Sequence, residues 1–430
     1  MSVRTPHPQL KRELGVLGAT LMGLGSIVGT GVFVSIGIAA GIAGPAVILA
    51  VVIGAIVATC NGLNSAQLAA NHAVSGGTYE YGYKYLTPWL GFTAGWMFLL
   101  AKTASAATAA LGFAGYLLNI TGLSSTWVVP TALLAVVVLT LIVLTGIRRS
   151  NTANIVIVSV TLLSLGFFIL VCLPRAATAG VDNLSPFFIG DIGTVLHASA
   201  LMFVAYTGYG RIATMGEEAR EPRKTIPKAM IVCLILTMLL YIAVAVVGIG
   251  AVGADVLGNA TGQAKAAPLE AAVRSVAGSG GAVVLAIGAM TAMLGVLLNL
   301  ILGLSRVLLA MGRRRDMPRI LARLNQQQTT PYWAVLVVGG AIALLVLLGN
   351  VKTTWSFSAF NVLIYYAITN LAALRLPSQE RLYPQWVAWL GLGSCLFLAF
   401  WVESSIWQLG LGLIVAGLIW HAIRQRAIAP

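Results

Sequence analysis

Apolar runs long enough to cross a lipid bilayer recur through this 430-residue chain from Leu14 to Trp420, parted by short polar loops. A hydrocarbon core about 30 Å thick is crossed by about 20 apolar residues in helical form. Matching the runs to that length gives about twelve spans: 14–39, 43–68, 88–118, 127–147, 152–173, 194–215, 227–251, 277–310, 332–349, 354–376, 383–402 and 405–422. With 59% hydrophobic and 9% charged residues, no stretch is left over for a soluble domain. Lipid satisfies no backbone polar group, so the expected fold class is an all-α polytopic membrane protein.

Positive charge sets the orientation, because loops rich in Lys and Arg stay on the cytoplasmic side. With the N-terminus inside, 21 of the 26 Lys and Arg fall in inner segments, among them Arg4, Lys11, Arg12, Arg148, Arg149, Arg223, Lys224 and the run Arg313, Arg314, Arg315. Arg175, Lys265, Arg274 and Lys352 fall outside, and Lys102 lies within the third span. Both termini are therefore expected in the cytoplasm, with the protein in the cell membrane. The net charge of +14 reads as this topological signal, and no nucleic-acid partner is expected. The first run outlasts a signal peptide and lacks a small-residue cleavage site, so it reads as a retained helix.

Cys60, Cys172, Cys233 and Cys395 all lie within spans and show no CxxC spacing, which argues against a disulfide framework or a metal site. No cofactor is expected. An intramembrane enzyme would need converging acids, bases or metal ligands, and the spans offer almost none. A channel would need a continuous polar pore.

Two spans are interrupted by glycine in corresponding places. Span one contains Gly23-Leu-Gly25-Ser-Ile-Val-Gly29-Thr-Gly31-Val-Phe33, and span six contains Phe203-Val-Ala-Tyr206-Thr207-Gly208-Tyr-Gly210-Arg211. Each opens a group of five spans, the pattern of transporters built from two inverted halves whose discontinuous helices form the site. Gly23 and Gly25 read as close helix packing. At Gly29 to Gly31 unwinding is expected, exposing N–H and C=O groups that lipid cannot satisfy. The half-helix starting near Thr30 would offer donors and positive dipole character to a carboxylate, and the preceding half-helix would offer carbonyls to an ammonium. A zwitterionic solute such as an amino acid fits that pair. The expected contacts are Ser26, Ile27, Val28, Gly29, Thr30 and Gly31 in span one, with Phe203, Val204, Ala205, Tyr206 and Thr207 in span six.

At these residues the chain resembles the amino acid, polyamine and organocation transporter superfamily. The resemblance continues through Ser75-Gly-Gly77-Thr-Tyr79-Glu-Tyr81, Glu217-Glu218-Ala-Arg-Glu-Pro222-Arg-Lys-Thr-Ile226-Pro227, and Ser305-Arg306 to Arg315-Asp316-Met-Pro318. It implies a five-plus-five inverted repeat (LeuT-type) with discontinuous helices one and six and two further C-terminal helices. The corresponding divisions are a cytoplasmic segment 1–13, repeats 14–173 and 194–376, a pair 383–422 and a tail 423–430. It also implies solute held between spans one, three, six, eight and ten, and a bundle of spans one, two, six and seven moving against a scaffold. The loop from Asn119 to Thr126 lacks the cysteine with which some members attach a single-span partner, so no heavy-chain partner is expected.

Several departures bear on coupling and gating. The position of the family's occluding aromatic is occupied by Val204, which leaves Phe203 or Tyr206 as gate candidates. Proton-coupled members carry a lysine in span five, where this chain has Thr161, whose hydroxyl either ligates sodium or bonds back to its own helix. Lys102 in span three is instead the intramembrane lysine, read as a proton carrier, a fixed counter-charge or a paired structural residue. A charge there would disfavour cationic amino acids and polyamines. The expected activity is therefore transport of neutral L-amino acids by proton-linked symport or exchange, with a cationic amino acid, polyamine or other small amine as the alternative substrate. Arg211 is expected to pair with Glu217 or Glu218. His197, taken as the one membrane-associated histidine, is assigned no role.

Overall fold

In the computed structural model, residues 14–72, 76–146, 151–214, 219–262, 266–325 and 330–426 are described. The N-terminal basic residues, Ser75, Arg148, Arg149, Glu217, Glu218 and Lys265 lie outside them. Among the described residues there is no β-strand, and nine helical stretches are long and apolar enough to cross a membrane. Three shorter apolar helices, Val16–Ile27, Tyr332–Val346 and Gln385–Ala399, accompany them.

The chain begins with α1 (Val16–Ile27), which is interrupted and then continues through a π-helical turn, Gly31–Ser35, into α2 (Ile36–Ala43). Next come α3 (Val47–Asn71), the short α4 (Thr78–Tyr85), α5 (Pro88–Thr121), α6 (Val128–Leu144) and α7 (Asn151–Asn183). The second interrupted rod is α8 (Ile192–Tyr206), a 3₁₀ turn at Thr207–Tyr209, and α9 (Gly210–Ala213). It is followed by α10 (Pro222–Val252), α11 (Ala254–Gly262) and α12 (Pro268–Arg313). The chain then runs through α13 (Tyr332–Val346), α14 (Val351–Leu374), α15 (Gln385–Ala399) and α16 (Ser404–Arg426).

Leucines such as Leu163, Leu170 and Leu344 face outward, while the interior combines larger apolar residues with many alanines, glycines, hydroxyl residues and tyrosines. Helices in lipid gain little from hiding apolar surface, so small residues that allow close approach and polar groups that find partners hold them together. Gly41 and Gly258 show this where α11 crosses α2: a Cβ on Gly41 would sit 3.1 Å from the Gly258 Cα.

Some boundaries differ from the expected spans for identifiable reasons. Span five does not stop at 173. Its helix passes Pro174 to Asn183, where Arg175 Nε donates to Ala251 O at 3.0 Å and Asn183 Nδ2 to Gly250 O at 2.8 Å, satisfying carbonyls at the end of α10. Span eight begins at Pro268 rather than 277 and bends at Gly278, whose φ of 70° suits glycine.

The sequence motifs that flank the spans converge at one end of the bundle. Asp316, wholly buried, accepts hydrogen bonds of 2.7 Å from both the Tyr79 and the Tyr83 hydroxyls. His421 Nδ1 stands 3.4 Å from Asp316 Oδ1, and Trp420 Nε1 donates to the Asp316 carbonyl at 2.9 Å. The buried His421 of α16 thus corrects the reading of His197 as the one histidine within the spans. Beside this knot Arg314 pairs with Glu80 at 2.7 Å and lies 4.1 Å from the Tyr83 ring centroid. Nearby, Arg220 N donates to Leu14 O at 3.1 Å and ties the start of the first rod to the segment after the second.

Candidate functional site

The first rod breaks where the glycine spacing predicts, but the residue that leaves helical geometry is Val28, at φ −79° and ψ 101°. Thr30 is helical again at φ −49° and ψ −35°, and the widened π turn starts at Gly31. Neither Gly29 nor Gly31 takes a positive φ. Their function is to have no side chain. A Cβ on Gly29 would lie 2.6 Å from Val296 Cγ2 of α12, and one on Gly31 2.7 Å from the Ala205 Cβ of α8. Gly23 and Gly25 are close-packing residues as expected, the first against Ile212 and Cys233 and the second against Asn154 and Val158.

The second rod stays α-helical through Tyr206 and tightens into the 3₁₀ turn at Thr207. The two breaks touch: a Cβ on Gly208 would run into the Ser26 carbonyl. Ser26 and Ile27 therefore face the turn after Tyr206, and Gly31 faces Ala205. Interrupted helices leave carbonyls at the end of one half and N–H groups at the start of the next. The single Tyr241 O–H of α10 is shared between two of the carbonyls, Ile27 O at 2.9 Å and Ala205 O at 3.3 Å. From α14, Tyr366 donates to Thr207 O at 3.3 Å and Trp355 Nε1 to Leu201 O at 3.0 Å. Asn299 of α12 reaches Gly25 O at 3.5 Å, and Tyr116 of α5 donates to Phe33 O at 2.7 Å. The Thr30 hydroxyl is buried and has no partner among the described residues.

Lys102 is buried, and its Nζ donates to the Thr207 Oγ1 at 2.8 Å, bridging span three to the break in span six. The Thr207 hydroxyl in turn donates a hydrogen bond to Val204 O at 2.8 Å. Among the described residues no carboxylate pairs with Lys102. Thr161, by contrast, donates to Ile157 O of its own helix at 2.7 Å. Phe203 sets its ring edge-on to Tyr366 at 5.6 Å, and Val204 is buried beside it. Tyr206 turns its hydroxyl to Val51 O at 3.2 Å and its ring towards Tyr241. The partners expected for Arg211, Glu217 and Glu218, are among the residues not described.

Tyr241, Tyr366, Asn299 and Trp355 did not emerge from the sequence reading. A buried tyrosine or tryptophan needs a partner for its O–H or N–H, which was the available signal, but hydropathy cannot say which carbonyl it serves.

Two broken rods meeting in the interior of an all-helical membrane protein are the arrangement found in solute transporters. The chain is a member of the amino acid permease family, whose profile matches residues 18–424. An uncharacterized transporter of Mycobacterium tuberculosis is 38% identical over 97% of this chain and 92% of its own length. The branched-chain amino acid permease of Bacillus subtilis is 28% identical over 96% of this chain and 91% of its own. A methylthioribose transporter of the same organism is 25% identical over 96% and 95%.

Proposed function

We propose that this permease is a secondary active transporter that carries neutral L-amino acids across the cytoplasmic membrane by alternating access, with the proton as coupling ion. The observation that carries the reading is the meeting of the two helix breaks beside an ammonium that has no acid partner among the described residues. The half-helix beginning at Thr30 presents N–H groups and positive dipole character for a carboxylate. The half-helix ending at Ile27 presents carbonyls for an ammonium. The contacts are Ser26 to Gly31 and Phe203 to Thr207, with Phe203 and Tyr206 as gate residues.

The positive charge that Lys102 carries when protonated repels lysine, arginine and polyamines, which favours neutral solutes. A relative named for branched-chain amino acids supports an apolar side chain. Back-bonding of Thr161 supports a proton rather than sodium as the coupling ion. The proposed architecture is twelve spans, as repeats 14–173 and 194–376 with a pair at 383–422, and both termini in the cytoplasm. The chain works without a heavy-chain partner.

Purified protein in liposomes loaded with unlabelled leucine is expected to accumulate labelled leucine by counterflow, and to take it up faster when the outside is made acidic. A channel or an enzyme gives no counterflow, so its absence rejects the transporter reading. For Lys102→Ala the acid stimulation is expected to vanish while residual counterflow persists. A variant that keeps the wild-type pH profile removes Lys102 from the coupling.

A further inference from the structure

The seam between α5 and α14 holds a polar group without a partner. Three contacts fix the antiparallel register of these helices: Phe98 against Tyr365 at 5.3 Å between ring centroids, Ser105 Oγ against Ser358 Oγ at 2.7 Å, and Thr108 Oγ1 donating to Thr354 Oγ1 at 2.8 Å. One turn back from Ser105 on α5 is Lys102, and one turn on from Ser358 on α14 is Asn361. Residues three apart share a helix face, so the two stand level on facing stripes of the seam.

Asn361 is fully buried, and its Nδ2 donates to Phe357 O at 2.6 Å. That bond fixes which end of the amide is the nitrogen. Its Oδ1 accepts no hydrogen bond from any described residue. A buried amide oxygen without a donor is uncommon in a native structure and calls for an explanation. An ammonium has three donors, and Lys102 spends one on Thr207. A spare acceptor and spare donors thus lie at the same level of the seam without meeting.

Building on the alternating-access reading above, we propose that Asn361 is a positioning residue for Lys102. As α8 moves relative to α14, the lysine ammonium leaves Thr207 Oγ1 and is received by Asn361 Oδ1. A buried amine that lost Thr207 with nothing to replace it would be left unsatisfied in a water-poor interior, which would raise the barrier between conformations. Asn361 lowers that barrier by offering a second acceptor. In the present conformation the acceptor waits empty.

The test compares two variants of nearly equal size that differ by one acceptor, Asn361→Ala and Asn361→Ser, with labelled leucine as the probe in proteoliposomes. Loss of one charge-assisted hydrogen bond in a rate-limiting conformation corresponds to a fall of about tenfold in maximal rate. Asn361→Ala is expected to show that fall with KM within about twofold of wild type, and Asn361→Ser to recover most of the rate. Both variants leave nearly the same cavity, but a serine hydroxyl can also take over the bond to Phe357 O, so rate is read beside unfolding temperature. A purely structural role moves the two together in each variant, whereas the positioning role lowers the Asn361→Ala rate at an unfolding temperature matched to Asn361→Ser. Equal loss in both, or loss in neither, overturns the proposal and leaves leucine transport standing. A wild-type protein that does not move leucine overturns the transport reading itself.

Discussion

A hydrogen atom at Gly29 is all that separates the first helix break from the Val296 side chain of α12. Any larger residue must push α12 away or force the break to close, and overpacking a filled interior costs about 1–3 kcal/mol. Gly29→Leu is therefore expected to remain folded in detergent with a lowered unfolding temperature, and to lose the stabilisation that leucine confers on the wild type in a thermal-shift measurement. Retention of that ligand-dependent shift would take the break out of the binding site. The glycine was legible in the sequence because it stands at a mid-span position where helix formers otherwise prevail. That Val28 would be the residue to leave the helix was not, since valine carries no such mark and the turn is set by the close approach of α8 and α12.

Between elements, Tyr241 joins the two rods by serving Ile27 O and Ala205 O with one hydroxyl. Removal of that hydroxyl leaves two buried carbonyls short of a donor, a loss of about 1–3 kcal/mol. Tyr241→Phe keeps the ring and its packing against Tyr206, so a fall in unfolding temperature reports the hydroxyl alone. An unchanged unfolding temperature would mean that the carbonyls find another donor. Lys102 also links two elements, α5 to the turn after α8, and its position inside a span marked it in the sequence as a functional candidate. Its acceptor was invisible there, as was the back-bond that takes up Thr161.

Across the whole molecule, an ion cluster ties the last pair of helices to the second rod. Glu403, between α15 and α16, stands 3.3 Å from His197 at the start of α8 and 3.5 Å from Lys352 at the start of α14. Burial opposes ionisation of Glu403, but His197, a backbone N–H and the Ser356 hydroxyl outweigh it and bring the carboxyl down to about 2. An unfolded glutamate titrates near ~4.3. The group therefore adds stability that is fully present above that value and is lost as the pH falls towards 2. With the Glu403 side chain 31% exposed, screening limits the contribution to about 1 kcal/mol. Glu403→Gln is expected to unfold at a lower temperature than wild type at pH 7, with the gap closing between about pH 5 and pH 2. A gap that stays constant over that range would mean that charge at Glu403 is not what holds the cluster together.

The sequence by itself determined that this chain is helical and spans a membrane many times, and where its first and sixth spans are interrupted. Hydropathy and run length are local properties that the bilayer thickness reads one span at a time, and a glycine interrupts a helix wherever that helix comes to lie. Which groups meet at the interruptions was decided only in three dimensions. Lys102 meets Thr207 across 105 residues, and Tyr241 meets Ile27 across 214. Such partnerships follow from the register and crossing of packed helices, and a buried polar side chain announces in sequence that it needs a partner without naming which one.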